Sequence, residues 1–498
     1  MKLLQKTLFL TFLLGVPILA PAQITYELDL ETSIALAKTQ SNKILILQKR
    51  LERASFDLKA ATSSLRTHVN LDLAIPQYSE TIRQFEDTLG VSFYPVRQNQ
   101  VNSYLTVSQP LPTDGFLYLR SGVQSLADYN AQDRLGQIST SIGLSQPIDA
   151  FYGYNNIKSA FKQAKLAFDL SIKQLKRQEL DLVYEVGQTF YYLLSYHERL
   201  NIAQLSLGRQ QESYNIAQSK FNAGLIREVE ALQMEVDLSD AINNYDIALV
   251  NYNSQLRLFK ETLGINLSDS VSVKNEMDYP IVFVDVEKAV GLALDNRLEL
   301  KENEIQIELQ KMGIKRQKAA GMINGDIVFN YNLIGVNKSN LSYPIESAFN
   351  STWQNLQDRP GSFGVGLSIK IPLIDWGENR ARVHAGEALL SQENYQLEGE
   401  KISIERDIRT TVERLQSSLK RLQLLEKNIF VSEKSFEISR QRYSNGDIDS
   451  QTFALERERL NNSYVSRLEA FITYKLLLSD LMWKTFYDFE KDKSMLDF

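Results

Sequence analysis

Apolar residues recur along this chain with two different periods. Over 238–263 they fall at Leu238, Ile242, Tyr245, Leu249, Tyr252, Leu256, Phe259 and Leu263, alternately four and three residues apart. That spacing is the seam of a helix packed lengthwise against another. Over 404–429 the same seam reads Ile404, Ile408, Val412, Leu415, Leu419, Leu422, Leu425 and Ile429. It continues through Leu460, Tyr464, Leu468, Phe471, Tyr474, Leu478 and Leu481, and upstream through Ile157, Phe161, Ala164, Phe168, Ile172 and Leu175. Elsewhere the period drops to two. Phe363, Val365, Leu367, Ile369 and Ile371 alternate with Gly364, Gly366, Ser368, Lys370 and Pro372. Val69, Leu71, Leu73 and Ile75 alternate with Asn70, Asp72 and Ala74, and 138–148 and 327–333 alternate likewise. These segments predict strands with one apolar and one polar face.

Proline placement sets how long the helices can run. The 11 prolines lie at or before Pro147, or between Pro280 and Pro372. Proline inside a helix costs about 3 kcal/mol, so the proline-free stretches 148–279 and 373–498 permit very long helices. A helix over 155–222 would run roughly 100 Å at 1.5 Å per residue, longer than a globular domain accommodates.

The two halves are similar at a constant offset. Ser213, Tyr214, Ile216, Lys220, Phe221, Gly224 and Ile226 answer to Ser435, Phe436, Ile438, Arg442, Tyr443, Gly446 and Ile448. Gly224 and Gly446 are placed where each long helix would end and reverse, since glycine reaches positive φ at little cost. Around each hairpin the order repeats: short helices, strands, then the hairpin. This predicts an internally duplicated α+β chain. The first repeat covers 23–272, with strands about 67–148 and a hairpin about 155–264. The second covers 273–498, with strands about 325–374 and a hairpin about 378–487. The Asn-, Ser-, Gln- and Pro-rich segments at about 78–100 and 336–362 read as loops. Segment 101–126 looks strand-like and has no counterpart in the second half.

Composition narrows the class. The chain has 498 residues, 43% hydrophobic and 23% charged, with formal net charge -6. No basic stripe suits nucleic acid. Residues 1–22 read as a secretory signal: Lys2 and Lys6, an apolar run from Leu8 to Leu19, then Ala20-Pro21-Ala22 as a cleavage site. The run is shorter than the roughly 18 residues a spanning helix needs, so a membrane anchor is the lesser reading. With Cys 0, the chain has no disulfide, no thiolate and no acylated cysteine. No later segment is apolar enough to span as a helix. The strands are therefore either a sheet of a soluble domain or part of a closed β-barrel in a membrane. Aromatics near strand ends, among them Tyr94, Tyr104, Phe116, Phe151, Trp353 and Trp376, suit the girdles of such a barrel.

Catalytic chemistry is not indicated. His68, His197 and His384 lack partners at metal-ligand spacing. Gly364-Val365-Gly366 lies in a strand and is followed by no Gly-Lys-Ser/Thr. Glu456 and Glu458 read as a solvated helix face. No cofactor, metal or catalytic group is expected, and the chain does not read as an enzyme.

The Phe221-Asn222-Ala223-Gly224 and Tyr443-Ser444-Asn445-Gly446 turns, together with Leu373-Ile374-Asp375-Trp376-Gly377 and its weaker copy Pro147-Ile148-Asp149-Ala150-Phe151, resemble the TolC family of outer-membrane efflux proteins. The resemblance covers nearly the whole chain beyond the signal. It implies a homotrimer in which each subunit gives four strands to one twelve-stranded barrel in outer-membrane lipid, continued by a periplasmic α-helical barrel. It also implies a passive duct of a tripartite efflux or type I secretion system. A periplasmic adaptor and an inner-membrane RND or ABC transporter would be its partners. The turns, with Phe221, Gly224, Ile226, Tyr443, Gly446 and Ile448, would form the adaptor-docking tip. By the family's pattern Tyr443 would bond Glu230 as a gate link. The family's basic latch position is Ile448 here, and its acidic constriction positions are Thr452 and Leu455, leaving Asp447, Asp449 and Glu456 as nearby acidic candidates. The rival reading is a soluble periplasmic coiled-coil adaptor. The transported substrate is not legible.

Overall fold

The structure is a computed structural model that describes residues 25–87, 90–274 and 277–496; the expected signal segment 1–22 lies outside them. The chain divides into two compact units. One holds the residues up to Lys49, Gln174–Leu300 and Gly399–Phe498, and the other holds Arg50–Lys173 and Lys301–Glu398.

The first unit is helical. A short strand β1, Thr25–Leu28, leads to α1, Leu30–Gln40, and α2, Asn42–Ser63, begins here. Two long helices follow later, α3 over Asn156–Asn222 and α4 over Glu228–Leu263. Strand β6, Ser270–Val273, pairs in parallel with β1, Thr25 opposite Ser270. After α5, Val286–Asn296, comes α6, Leu298–Ala320, of which only the start belongs to this unit; the second hairpin comprises α8, Glu378–Asn445, in this unit from Gly399 on, and α9, Ser450–Thr485. The paired lengths nearly coincide: 67 and 36 residues in the first hairpin, 68 and 36 in the second. The heptad seam of the second hairpin is the core. Ile404, Ile408, Val412, Leu415 and Leu422 are buried from α8, and Leu468, Phe471, Tyr474, Leu478 and Leu481 from α9. The seam read on α4 behaves differently. Phe259 and Leu263 are buried at its end, whereas Ile242 and Leu249, with Val236, Ile247 and Val250, stay exposed.

The second unit is built on one sheet. Its strands are β2, His68–Asp87; β3, Gly90–Pro110; β4, Phe116–Asp128; β5, Asp133–Pro147; β7, Asn324–Asn340; and β8, Ser362–Lys370, with helix α7, Ile345–Asp358, between the last two. All neighbours are antiparallel in the order β2-β3-β4-β5-β7-β8, leaving β2 and β8 as free edges. The ladder shifts register between Ala74 and Gln77, where Pro76 has no N–H to give. Through the register, Val69, Val107, Leu119, Ile142, Tyr331 and Phe363 stand in one row on one face. All of these side chains are exposed except Val107, which is half-buried. Leu117, Leu144, Phe329 and Val365, with Gln109 opposite Leu117, form the next row of that face. The opposite face carries Asn70, Thr106, Arg120, Ser141, Asn332 and Ser362 in register.

Two expectations are corrected here. The main sheet holds six strands where four were expected. Segment 78–100 is not a loop: it belongs to a hairpin in which β2 and β3 pair as far as Asp87 and Gly90. Its Asn, Gln and Ser hide the alternation because residues 90–97 pair only with β2, past the end of β4, and there neither face has to be apolar. Segment 101–126, without a counterpart in the second half, supplies most of the added hairpin. The predicted loop 336–362 also holds the end of β7 and helix α7.

The strand-to-helix passages are fixed by carboxylates. Asp375 accepts from the N–H groups of Gly377 at 2.9 Å and Asn379 at 3.1 Å, and α8 starts there. In the first half the expected counterpart Asp149 opens only a 3-10 turn. Asp114, from the β3–β4 turn, accepts instead from Asn156 and Ile157 at 2.9 and 3.0 Å and caps α3.

Candidate functional site: the hairpin ends

Both reversals use the same backbone device. Gly224 has φ +71 and Gly446 φ +90. The N–H of Gly224 donates to Phe221 O at 2.8 Å and that of Leu225 to Lys220 O at 2.9 Å; Gly446 donates to Tyr443 O at 3.1 Å and Asp447 to Arg442 O at 2.8 Å. This is the paired closure that satisfies the last carbonyls of a helix and requires a left-handed residue after it. The returning helices start differently. Asp449 caps α9, its Oδ1 accepting from the Thr452 N–H at 2.8 Å. Hydrogen bonds from the Thr452 side chain and N–H hold the Asp449 carboxyl below its ordinary value. Arg227 at the start of α4 gives no side-chain cap.

Above the second turn an aromatic stack closes the hairpin. Tyr443 and Phe453 are parallel, 4.8 Å apart at 11°, and Phe436 covers the other side of Phe453 at 5.7 Å and 22°. Leu460 completes the buried group, with Ile216, Ile448 and Tyr464 packed around it. Lys220 of the first hairpin sits 4.3 Å over the Tyr443 ring and donates to the Tyr443 carbonyl. Burial lowers the Lys220 pKa, with Glu230 pulling the other way. Ile216 and Lys220 thus tie α3 to α8, and Arg440 adds an ion pair with Glu212 at 2.8 Å.

A second tie joins the two returning helices. Arg457 on α9 pairs with Asp237 on α4 at 2.9 Å, their side chains only 12% and 22% exposed. Desolvation pulls the Arg457 pKa down while Asp237 supports its charge. Asp240 and Asn244 of α4, and Gln451, Glu458 and Asn461 of α9, line a groove of about 490 Å³ beside this pair. The groove is polar and open, and among the described residues no group of His, Asp and Glu could hold a metal ion. The arrangement holds helices together.

The expected site residues are placed as follows. Phe221 and Gly224 are exposed, Ile226 half-buried, Ile448 half-buried against the stack and Thr452 exposed. Glu456 accepts from Ser435 at 2.9 Å and pairs with Arg459 at 2.7 Å, so it belongs to the second hairpin's own packing. The expected Tyr443–Glu230 hydrogen bond is absent. The Tyr443 hydroxyl is buried without a partner, because its ring is held between Phe453 and Lys220, and Glu230 pairs with Arg227 at 3.2 Å. Sequence reasoning missed Phe453 and Arg457. Both lie on the backward extension of the Leu460–Tyr464 seam, where a charged residue at a seam position is the signal of a buried pair.

A family model described as outer membrane efflux protein matches residues 33–259 and 290–462. Among solved structures, the Campylobacter jejuni CmeC outer membrane channel is similar over 92% of this chain and 85% of its own, at 15% identity and TM-score 0.66. The outer membrane protein VceC from Vibrio cholerae is similar over 92% and 95%, at 12% identity and TM-score 0.66. The open state of the Neisseria gonorrhoeae MtrE outer membrane channel covers 93% and 90%, at 14% identity and TM-score 0.60. No curated protein sequence matches.

Proposed function

The chain belongs to the outer membrane efflux protein family, and from that membership we propose that it is a passive exit duct of the outer membrane, gated at its hairpin ends. The carrying observation is the six-stranded sheet with an exposed apolar face and two open edges. In lipid every backbone group must be paired, so such a sheet is stable only when its edges close on others. β2 and β8 run in opposite directions, as the chain path through an even number of antiparallel strands requires, so β2 of one copy can pair antiparallel with β8 of the next. Three copies would close at eighteen strands. The apolar residues left open on α4 support the same reading, since a neighbouring copy would cover them. The repeated order of elements and nearly equal helix lengths support internal duplication.

The duct supplies a wet path and no chemistry. An inner-membrane transporter, of the RND or ABC kind, would drive export, and a periplasmic adaptor would engage the hairpin ends, where Leu225, Val229 and Leu232 are exposed. The soluble-adaptor reading is disfavoured by the apolar sheet face, by the match over most of the chain and by the fold of the similar channels. Fractionation tests this directly. The mature protein should require detergent for release and should form discrete conductance steps in a planar bilayer; release into the soluble periplasmic fraction would refute the duct.

A further inference from the structure

We propose that helix α7 is an interfacial anchor on the outer wall of the sheet, lying along the outer-leaflet lipid at the rim of the apolar face. The neighbouring strands leave it a place. β8 pairs with β7 only up to Asn332, so the rest of β7 toward Asn340 has no strand on that side. α7 fills the gap: the Asn355 side chain accepts from the Val336 N–H at 2.9 Å, a backbone donor that β8 would otherwise satisfy.

The helix also lies over the apolar face. Gly335 stands opposite Ile138, which stands opposite Val123, all on the face of Leu119 and Ile142. A Cβ at Gly335 would come within 2.3 Å of the Thr352 carbonyl, and one at Gly136 within 3.1 Å of the Thr352 hydroxyl. Two glycines, Gly335 opposite Ile138 and Gly136 diagonal to it opposite Asn337, therefore admit the helix to within backbone contact. Ala348, Thr352 and Leu356, one turn apart, are the buried stripe that meets the sheet.

The remaining apolar side chains of α7 are not used by the protein. Ile345, Phe349 and Trp353 flank the buried stripe and are exposed, Trp353 at 47%. Glu346, Asn350, Gln354 and Gln357 face away. Their position decides what covers them. The exposed apolar rows of the sheet give way to the Leu105–Ser121–Thr140–Leu333 row; next come Val123, still exposed, and Ile138, buried, and beyond them the same face turns to Arg134, Asn337 and Ser339. α7 crosses at that boundary, continuous with the surface that must contact lipid. An amphipathic helix with aromatic side chains at such a boundary is an interfacial element. Neighbouring copies would meet at β2 and β8, whereas α7 rests on β5 and β7.

The chain lacks cysteine, so nitroxide labels can be placed singly without altering the background. Phe349→Cys and Trp353→Cys replace exposed side chains and leave the packed stripe intact. The labelled full chain is reconstituted into phosphatidylethanolamine–phosphatidylglycerol vesicles, and collision with oxygen and with a water-soluble nickel complex is measured. The expected result is nickel accessibility several-fold lower at both positions than at Gln354→Cys, with oxygen accessibility retained. Equal nickel accessibility at all three would overturn the proposal, and so would shielding from both reagents, which means protein cover. Leu71→Cys and Val365→Cys report separately on the sheet: if these too are water-accessible, it is the barrel reading that fails.

Discussion

Tyr443 and Phe453 stack face to face across the second hairpin end, 4.8 Å apart and 11° from parallel, one from each arm. Their burial is nearly complete, 2% and 1% exposed. Phe453 is the middle ring of three, so Phe453→Ala removes the filling between Tyr443 and Phe436. Truncating a buried Phe costs about 3–5 kcal/mol. Hydrogen exchange over 436–460 should quicken accordingly, with the seam at 404–422 unchanged. Tyr443→Phe should behave oppositely. Its hydroxyl has no partner, so its loss removes a buried unsatisfied group worth about 1–3 kcal/mol. Bilayer conductance of Tyr443→Phe should equal that of the unmodified channel. A rise would restore the Tyr443–Glu230 link that this geometry lacks.

The tie that holds the returning helices is Arg457–Asp237. Breaking a fully buried ion pair from one side costs about 3–5 kcal/mol, and this half-buried pair should cost less. Arg457→Gln and Asp237→Asn should each raise resting conductance in planar bilayers, and the double variant should cost less than the two single losses together. Strict additivity would show that the pair does not act as a unit.

Much of this was legible beforehand, and the boundary has physical causes. The heptads of 404–429 and 460–481 are readable because each seam is buried within one subunit. Gly224 and Gly446 are readable because only backbone geometry is at stake. The strands at 78–100 are not, because past the end of β4 no apolar face is demanded, and alternation is the sequence's main strand signal. The Tyr443–Glu230 link fails for another reason. Spacing places both residues at one hairpin end, but ring stacking and the Lys220 cation decide where the hydroxyl points.

The turns themselves make a cleaner prediction. An added Cβ at Gly224 or Gly446 meets open space, so the only penalty of Gly→Ala is the left-handed backbone, about 1–2 kcal/mol. Gly446→Asn should cost less, because Asn tolerates that region. Thermal unfolding followed by circular dichroism should rank the unmodified chain first, Gly446→Asn second and Gly446→Ala third. Equal stability of all three would mean that the closure can be remade with another conformation.

Asp449 predicts a pH dependence. Its carboxyl is held below the ordinary 3.8 by the Thr452 side-chain and backbone hydrogen bonds. A depressed carboxylate contributes stability that is fully present above its unfolded value and lost as pH falls through the lower folded value. Exchange protection of the first turn of α9 should therefore hold at neutral pH and decline below 3.8. Asp449→Asn should flatten that decline while keeping a cap. An unchanged decline in the Asn variant would assign it to another group.

The strand count gives the most direct test of assembly. The face of β2 carries Val69, Leu71 and Leu73, and the same face of β8 carries Val365, Leu367 and Ile369. Within one chain these edges are separated by the four intervening strands. If copies close the barrel edge to edge, cysteines at one residue of each set come within disulfide reach only across subunits, at Cα separations of about 4.4–6.8 Å. The register between copies is open, so all nine pairings are needed, and at least one should give covalent dimers and trimers on oxidation. Because the closure is antiparallel, pairs on one side of the best-reacting pair should react in mirrored order: moving up β2 must be matched by moving toward the start of β8. A reactive set obeying that rule fixes β2–β8 as the seam and six strands as each subunit's share. Failure of all nine pairings in conducting channels would mean that one edge is closed within the subunit or that the added hairpin folds out of the barrel, and the count of eighteen would fall with it.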